Sequence, residues 1–307
     1  MPPDNWRLLI DLPADGAANM ARDEAILSSH AGPWPKGHPG SGDTGAAQPT
    51  LRLYRWRPAC LSLGRFQRAD VSDQAACARA GVGIVRRPSG GRALLHDDEL
   101  TYAIIARADH PLFGDQSILA TYRQISLALL AGLRRLGLAA ELTSATTDHR
   151  PPTTDHQTKT IFGNEATGRR SSVVSRRLSA ACFDTPAAHE LTVAGRKLVG
   201  SAQTRRDGSI LQHGVIPLTA HAERLAALLR HPPADLGTKM IALDQAAGRM
   251  IEFDELADAL MAGFRAAWGI RFERGELSEH EQREEQRLIA EKYTDERWTY
   301  GREYNLV

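Results

Sequence analysis

The stretch CFDTPAAHELTVAGRKLVGSAQTRRDGSILQHG runs from Cys182 to Gly214, and the rest of the chain is organised around it. Within it, the strand-like segment ELTV leads through the turn Ala194-Gly195 into the pair Arg196-Lys197. A run of small residues follows, and Asp207-Gly208 is a typical hairpin signal. The stretch therefore predicts short strands joined by tight turns, with a thiol and an amine 15 positions apart.

Cys182 and Lys197 carry the chemical interest of this stretch. A lone cysteine is most often a small buried hydrophobic residue, and a lysine on a hairpin most often lies on the surface. The residues after the cysteine, Phe183-Asp184-Thr185-Pro186, instead favour an irregular loop beside the sheet. If Lys197 reaches the thiol across the turn, its positive charge lowers the thiol pKa and raises the thiolate fraction. That arrangement is typical of nucleophilic acyl transfer.

A second stretch, VRRPSGGRALLHDDELTY at 85–102, is the expected partner of the first. A short apolar strand runs into Ser89-Gly90-Gly91, and a glycine pair at a strand end lets the backbone approach a ligand closely. A plain turn between two strands is the alternative for this pair. We predict that strands of 85–102 and 190–216 are adjacent, so that Gly90 and Gly91 face Gly200 and a tunnel is enclosed between them.

The remaining elements follow from apolar periodicity and capping residues. Strands are predicted at Trp6–Leu12, Leu51–Trp56, Leu61–Gly64, Gly83–Arg86 and Leu100–Ala106. Helices are predicted at Gly16–His30 after the cap Asp15 (with Glu24 interrupting its apolar face), from Ser117 to Gly137, at Ala220–Arg230, from the cap Asp254 to Gly269, and from a Ser278–Glu281 capping box through Tyr293. Strands interleaved with helices and hairpins predict an α+β (mixed α/β) fold with a central mixed sheet flanked by helices.

Composition limits the function classes. With 307 residues, 42% apolar and 24% charged, the chain is typical of a globular enzyme, and a net charge of +1 indicates no nucleic acid or membrane partner. The cysteines Cys60, Cys77 and Cys182 have no metal-ligand spacing, and their odd number argues against a disulfide framework. Without an apolar run of 18 residues or a signal peptide, we expect a reduced, cytoplasmic protein that binds no metal.

Two polar segments separate the predicted elements. Residues 31–49 are rich in glycine and proline, and residues 143–177 contain few apolar side chains, so we expect loops or disorder in both. His149 and His156 lie in the second segment without a matching carboxylate or cysteine cluster. The predicted organisation is a catalytic domain at 5–230 that carries both inserts, followed by a helical C-terminal extension at 231–307.

Several motifs match a known family. RRPSGGRALLHDDELTY resembles the signature of the biotin/lipoate protein ligase superfamily, and GRKLVGSAQ with ILQHG resembles its lysine-bearing motif. The CFDTP–HEL segment is similar to that of the LipM-type lipoyl-domain octanoyltransferases, and NMARDEAIL and EKYTDERW also fit. The resemblance covers most of 5–300 apart from the inserts, and it implies a ligase-type catalytic-domain fold.

The resemblance also implies an activity. Octanoyl would pass from octanoyl-acyl carrier protein to a lysine of a lipoyl-domain protein, such as the glycine cleavage H protein or a dehydrogenase E2 subunit. Cys182 would carry the acyl group as a thioester, and Lys197 would polarise the carbonyl and lower the thiol pKa. No cofactor is implied, and we expect a monomer. The implied substrate-binding residues are Arg87, Ser89, Gly90, Gly91, Arg92 and His96 on one wall of the tunnel, and Gly200, Ser201 and Ala202 at its carbonyl end.

Two alternatives remain open at this point. In an ATP-dependent lipoate–protein ligase, Lys197 would contact the acyl-adenylate and Cys182 would be incidental. Such ligases carry a third glycine where this chain has Arg92, which is mild evidence against ATP use. The chain can also be a non-catalytic module that binds carrier proteins, although the presence of both Cys182 and Lys197 argues against this.

Overall fold

The computed structural model describes residues 4–31, 48–114, 117–143 and 189–301. Its strands are β1 (Asn5–Ile10), β2 (Thr50–Tyr54), β3 (Cys60–Leu63), β4 (Gly83–Arg86), β5 (Leu94–His96), β6 (Glu99–Arg107), β7 (Ala140–Leu142), β8 (Leu191–Val193), β9 (Arg196–Lys197), β10 (Gly200–Arg206), β11 (Ser209–Pro217) and β12 (Arg271–Arg274). Its helices are α1 (Gly16–Ser29), α2 (Gln74–Arg79), α3 (Ile118–Arg135), α4 (Ala222–Ala227), α5 (Leu236–Lys239), α6 (Leu243–Ala247), α7 (Phe253–Trp268), α8 (Glu279–Leu288) and α9 (Glu296–Thr299), with a π-helical turn at Ile289–Tyr293. None of these helices has the length and apolar character that a membrane crossing requires.

A six-stranded mixed sheet forms the centre of the molecule, in the order β10-β11-β6-β2-β1-β12. Strand β1 runs parallel to β2 and β12, whereas β6 is antiparallel to both β2 and β11. Two three-stranded sheets, β4-β3-β5 and β7-β8-β9, adjoin it. The predicted α+β fold is confirmed, and so is the adjacency of the two motif regions, because Tyr102 of β6 pairs with Gly214 of β11.

Helices α3 and α7 cover one face of the central sheet, and α1 covers the other. The side chains of β6 alternate between the two cores, as the strand period requires: Tyr102 packs with α3 and Ile105 packs with α1. Helices α3 and α7 approach through glycines, since a Cβ placed on Gly263 would lie 2.3 Å from the backbone nitrogen of Gly132. A side chain at either position would push the helices apart.

Helix α1 is buried on its polar face as well as on its apolar face, since Asn19, Asp23 and Glu24 are all buried. Its predicted cap is confirmed, since Asp15 accepts a hydrogen bond from the Ala18 backbone N–H. Glu24, expected to interrupt the apolar face, is only 3% exposed and accepts hydrogen bonds from Lys292 and Arg206. The charged face of α1 is therefore covered by other elements, and its carboxylates are paired rather than solvated.

The predicted helix ends have mixed outcomes. The cap Ser117 and the Ser278–Glu281 capping box are both present. The cap predicted at Asp254 is wrong, because α7 already begins at Phe253. Phe253 is buried in the core. Its packing favours a helix that starts at Phe253, one residue before Asp254, even though an aspartate is a good capping residue.

The segment after residue 230 contains more than helices. Strand β12 pairs with β1 in the central sheet, and α7 packs on α3. Arg86 of β4 donates hydrogen bonds to the carbonyls of Trp298 and Thr299. The proposed domain boundary at 230 stays a prediction. Of the inserts predicted at 31–49 and 143–177, residues 32–47 and 144–177, with His149 and His156, lie outside the described residues.

Candidate active site

A small, narrow cavity lies beside the central sheet. Residues of α1, β2, β5, β6, β10 and β11 line it together with parts of two connecting segments: Met20, Tyr54, Trp56, Arg87, Leu94, His96, Thr101, Gly200, Ser201, Ala202, His213 and Gly214. Five of the predicted substrate-binding residues are among them, namely Arg87, His96, Gly200, Ser201 and Ala202. The structure therefore brings residues of both sequence motifs to one cavity.

His96 forms one wall of this cavity and has no free ring nitrogen. Its ring stacks on Trp56, with centroids 3.8 Å apart and planes 14° from parallel. Its Nε2 lies 2.8 Å from Ser62 Oγ, and its Nδ1 lies 2.6 Å from Glu99 Oε1. Because both nitrogens are used in these bonds, the imidazole offers the cavity a flat aromatic surface rather than a polar group.

The glycine loop, residues 88–92, is held together by Arg87. The Arg87 guanidinium donates to the carbonyls of Gly90 and Arg92 at 2.8 and 2.7 Å. Gly91 has a φ of +90°, and a Cβ placed there would lie 3.9 Å from the Ala202 Cβ. The two segments thus approach each other at Gly91 and Ala202, whereas the predicted facing of Gly90 and Gly91 with Gly200 stays a prediction.

Gly64 lies against the glycine loop, in direct contact with Gly91, and the sequence did not mark it as a site residue. A Cβ on Gly64 would lie 1.9 Å from the Gly91 carbonyl oxygen, so only glycine permits the two turns to touch.

Ser201 uses its hydroxyl inside the protein. Its Oγ lies 2.7 Å from the Tyr102 hydroxyl, which also accepts a hydrogen bond from Gln212 Nε2 at 3.1 Å. Burial raises the pKa of Tyr102 to about 12, so the phenol stays neutral. The run Gly200-Ser201-Ala202 therefore meets the cavity with main chain and small groups, as a close approach to a ligand requires.

Ser89 is fully buried and hydrogen-bonds a histidine of the cavity wall. Its Oγ lies 2.5 Å from His213 Nε2, and His213 Nδ1 lies 2.9 Å from Asp23 Oδ2. Burial lowers the pKa of His213, and the hydrogen bond and charge of Asp23 only partly offset this. His213 is therefore neutral at neutral pH, and both of its nitrogens are engaged.

Lys197 is buried on β9, with 1% of its surface exposed. Its Nζ donates to Glu190 Oε1 at 2.5 Å, while Glu190 Oε2 is buried and has no hydrogen-bond partner among the described residues. The hairpin between β8 and β9 turns at Ala194 and Gly195, whose φ values of 48° and 73° match the predicted turn. Lys197 precedes the cavity residue Gly200 by three positions and does not itself line the cavity. Cys182 lies outside the described residues.

Three buried polar residues at the site were missed by the sequence analysis: Asp23, Glu190 and His213. His213 lies inside the ILQHG motif, which was a usable signal. Asp23 lies inside NMARDEAIL and Glu190 inside the CFDTP–HEL segment, but neither was selected as a single residue, because periodicity does not show that these carboxylates are buried and paired. Within the described ranges, no group of three or more His, Cys, Asp or Glu side chains can hold a metal ion.

The sequence model of the family "Lipoyl protein ligase A/B catalytic domain" matches residues 15–265. Among the relatives is an octanoyltransferase LipM from Moorella thermoacetica, 38% identical over 97% of this chain and 98% of the relative. Another octanoyltransferase LipM, from Kyrpidia tusciae, is 39% identical over 96% of this chain and 98% of the relative.

Two solved structures share the fold. A lipoate protein ligase from T. acidophilum with bound lipoic acid has a TM-score of 0.72 and 22% identity, covering 97% of this chain and 99% of that one. A lipoate-protein ligase A bound with ATP has a TM-score of 0.72 and 23% identity, covering 96% and 98%. At these identities the likeness is one of fold alone.

Proposed function

The chain belongs to the family of lipoyl protein ligase A/B catalytic domains, and from this premise we propose that it is an octanoyltransferase of protein lipoylation. The donor in this proposal is octanoyl-acyl carrier protein, and the acceptor is a lysine of a lipoyl-domain protein in the cytoplasm. Relatives named octanoyltransferase LipM support the reaction, because they match this chain over almost its whole length.

The observation that carries the proposal is that the polar side chains around the cavity are already hydrogen-bonded to other protein groups. His96 and His213 use both ring nitrogens in internal hydrogen bonds, and the Arg87 guanidinium is bonded to main-chain carbonyls. What remains for a ligand is the aromatic and aliphatic surface of side chains such as Trp56 and Leu94. Among the described lining residues, such a surface favours an apolar chain over a charged or strongly hydrated ligand.

The proposed chemistry has two steps. The Cys182 thiolate attacks the donor thioester, a new thioester forms on Cys182, and the carrier thiolate leaves. The neutral amine of the acceptor lysine then attacks that thioester, an amide forms with loss of one amine proton, and the Cys182 thiolate is regenerated. No nucleotide is consumed.

Lys197 is the cation of this proposal. An ammonium near the reacting carbonyl stabilises the oxyanion of each tetrahedral intermediate and favours the thiolate of Cys182. Its hydrogen bond to Glu190 fixes the direction of Nζ on the β8–β9 hairpin. This pairing supports a functional role for Lys197, because a lysine with no role seldom stays 1% exposed.

The test is transfer to a purified lipoyl domain, followed by mass spectrometry of the acceptor. We expect one octanoyl addition with octanoyl-acyl carrier protein as donor and without ATP. An acceptor whose target lysine is replaced by alanine serves as the control. Modification that occurs only with free octanoate or lipoate and ATP would instead establish the ligase alternative.

A further inference from the structure

We propose that His213 is a positioning residue that sets which acyl chains the cavity accepts, because it forms part of the wall and holds the glycine loop through Ser89. This inference rests on the proposed function. It concerns residues that the acyl-transfer steps themselves do not use.

The structural basis is a chain of hydrogen bonds through three separate elements. Ser89 belongs to the glycine loop, His213 to β11 and Asp23 to α1. The two links measure 2.5 Å from Ser89 Oγ to His213 Nε2, and 2.9 Å from His213 Nδ1 to Asp23 Oδ2. Ser89 and Asp23 are fully buried and His213 is 5% exposed, so water does not compete for these bonds.

The hydrogen-bond series from Ser89 through His213 to Asp23 has only one arrangement of its hydrogens. An ionised carboxylate can only accept, so the hydrogen on the imidazole is at Nδ1 and points to Asp23. The neutral ring of His213 then accepts at Nε2, and Ser89 must donate its hydroxyl hydrogen. A buried chain with a single direction resists rearrangement, since any reversal leaves a polar group unsatisfied.

At the Asp23 end of this hydrogen-bond series, a charged partner fixes the carboxylate. Asp23 Oδ1 accepts from Arg52 NH1 at 2.6 Å, and its Oδ2 also accepts from the Tyr54 hydroxyl at 2.9 Å. Arg52 is fully buried and also donates to Asp11 at 2.6 Å. A rotation of the His213 ring would therefore disturb a buried ionic network, which is costly.

At the Ser89 end, the glycine loop is braced by its own hydrogen bonds. Arg87 joins the carbonyls of Gly90 and Arg92, and the Ser89 carbonyl accepts from the Arg65 backbone N–H at 2.8 Å. The Ser89 hydroxyl connects this loop to His213 of the central sheet. Loss of that bond lets the loop shift away from Ala202, where Gly91 approaches, and widens the cavity there.

The experiment compares two acyl donors, octanoyl- and decanoyl-acyl carrier protein, in five proteins: wild type, Ser89→Ala, His213→Ala, the double variant of these two, and the control Ser126→Ala. Ser126 is a buried serine on α3 that does not line the cavity. For Ser89→Ala we expect the KM for the octanoyl donor to rise about tenfold with kcat within about threefold of wild type, as for loss of one buried hydrogen bond.

For His213→Ala we expect the ratio of kcat/KM for decanoyl over octanoyl to rise about tenfold, because the missing ring leaves room for further methylene groups. In the double variant, Ser89→Ala should add almost nothing to the His213→Ala effect, since the partner of the hydroxyl is already gone. Thermal unfolding midpoints identify any variant that does not fold. If His213→Ala is one of these, His213→Gln, which keeps a polar side chain at the position, replaces it.

Unchanged chain-length ratios in folded variants, or fully additive effects of Ser89→Ala and His213→Ala, would overturn the inference while the transferase proposal stands. A wild-type protein that transfers no octanoyl group from the carrier would instead overturn the proposed function, and this inference with it. The two failures are therefore distinguishable in one set of measurements.

Discussion

Lys197 and Glu190 form a buried pair of opposite charges. Their hydrogen bond, 2.5 Å from Nζ to Oε1, holds the two side chains together. The backbone around Glu190 is also fixed, because its N–H donates to Thr143 Oγ1 at 2.9 Å and its carbonyl accepts from the Thr143 N–H at 2.8 Å. The second carboxylate oxygen, Oε2, has no partner among the described residues. Glu190 thus anchors Lys197 and retains the capacity to accept one more hydrogen bond.

Replacing this cation tests its role at the residue scale. For Lys197→Ala we expect octanoylation of Cys182 to slow by about 100-fold at neutral pH, as for loss of one charge-stabilising group. Part of the loss should be recovered at higher pH, because the thiol then ionises without help from a cation. Rapid-quench measurement of the acylation rate between pH 6 and pH 10 gives both numbers.

The matched control is Lys239→Ala, which removes a half-exposed lysine of α5 that pairs with Asp235. It should leave the rate and its pH dependence unchanged. A Lys197→Ala protein that is acylated at the wild-type rate would remove the lysine from the mechanism.

The predictability of single residues depends on where their partners lie. The turn at Ala194-Gly195 could be predicted because local turn chemistry marks it in the sequence, whereas the role of Lys197 stays a prediction. The Asp23–His213 bond joins residues 190 positions apart, and no local pattern encodes it. Glu190 is only seven positions from its partner Lys197, but a glutamate before a strand is ordinarily a surface residue, so its burial was not predicted.

At the scale of elements, helix α8 is attached to the central sheet through Glu281. This glutamate closes the capping box with Ser278 and accepts two hydrogen bonds from Arg7 of β1, each 2.7 Å long. Burial would raise the pKa of Glu281, but the hydrogen bonds and charge of Arg7 outweigh it and lower the pKa from 4.5 to about 2. Stability at neutral pH therefore depends on this carboxylate being ionised.

The sign of the pH effect follows from the lowered pKa. The stabilisation is fully present above about pH 5, and it is lost as the pH falls toward the folded-state pKa of about 2. We expect Glu281→Gln to lower the free energy of unfolding at pH 7 by roughly 3 kcal/mol and to flatten its decline between pH 5 and pH 2. Urea unfolding across this pH range measures both effects.

Glu279→Gln is the control on the same helix, because that side chain is 90% exposed and makes only a long ion pair with Arg283. It should change stability by less than about 0.5 kcal/mol. If both variants have the same acid profile, Glu281 is not the group that couples α8 to the sheet.

Elements with a strong local pattern were predicted well from the sequence. The apolar repeat of α3 and the capping box of α8 have physical causes within a few residues, and both are present. The start of α7 was missed because core packing of Phe253 overrides the capping preference of Asp254. The helix predicted at Gly16–His30 is present as α1, but periodicity does not reveal that its charged side chains meet partners from α8, the π-helical turn and β10.

At the scale of the whole molecule, the segment at 231–301 shares its core with the residues before it. Phe264 of α7 is fully buried in the same cluster as Leu129 of α3, and β12 forms the edge of the central sheet. The boundary at 230 stays a prediction, but this packing leads us to expect that both parts fold together.

A chain ending at residue 230 tests that expectation. It would expose the apolar surface of α3 and leave β1 at the sheet edge without its partner β12, so we expect an insoluble product or one without a cooperative unfolding transition. Circular dichroism with thermal unfolding, beside the full chain, is the measurement. A soluble fragment with a sharp transition would show that residues 5–230 are an independent domain.

Passage of the acyl group through Cys182 is tested by the intact mass of the enzyme after incubation with octanoyl-acyl carrier protein. We expect a gain of one octanoyl group, its loss on hydroxylamine treatment, and its absence in Cys182→Ser, because a serine hydroxyl is a far weaker nucleophile than a thiolate. Tandem mass spectrometry should locate the group on Cys182 rather than on Cys60 or Cys77, which are buried thiols whose pKa burial raises. A Cys182→Ser protein that gains no mass yet still modifies a lipoyl domain from free octanoate and ATP would contradict the account.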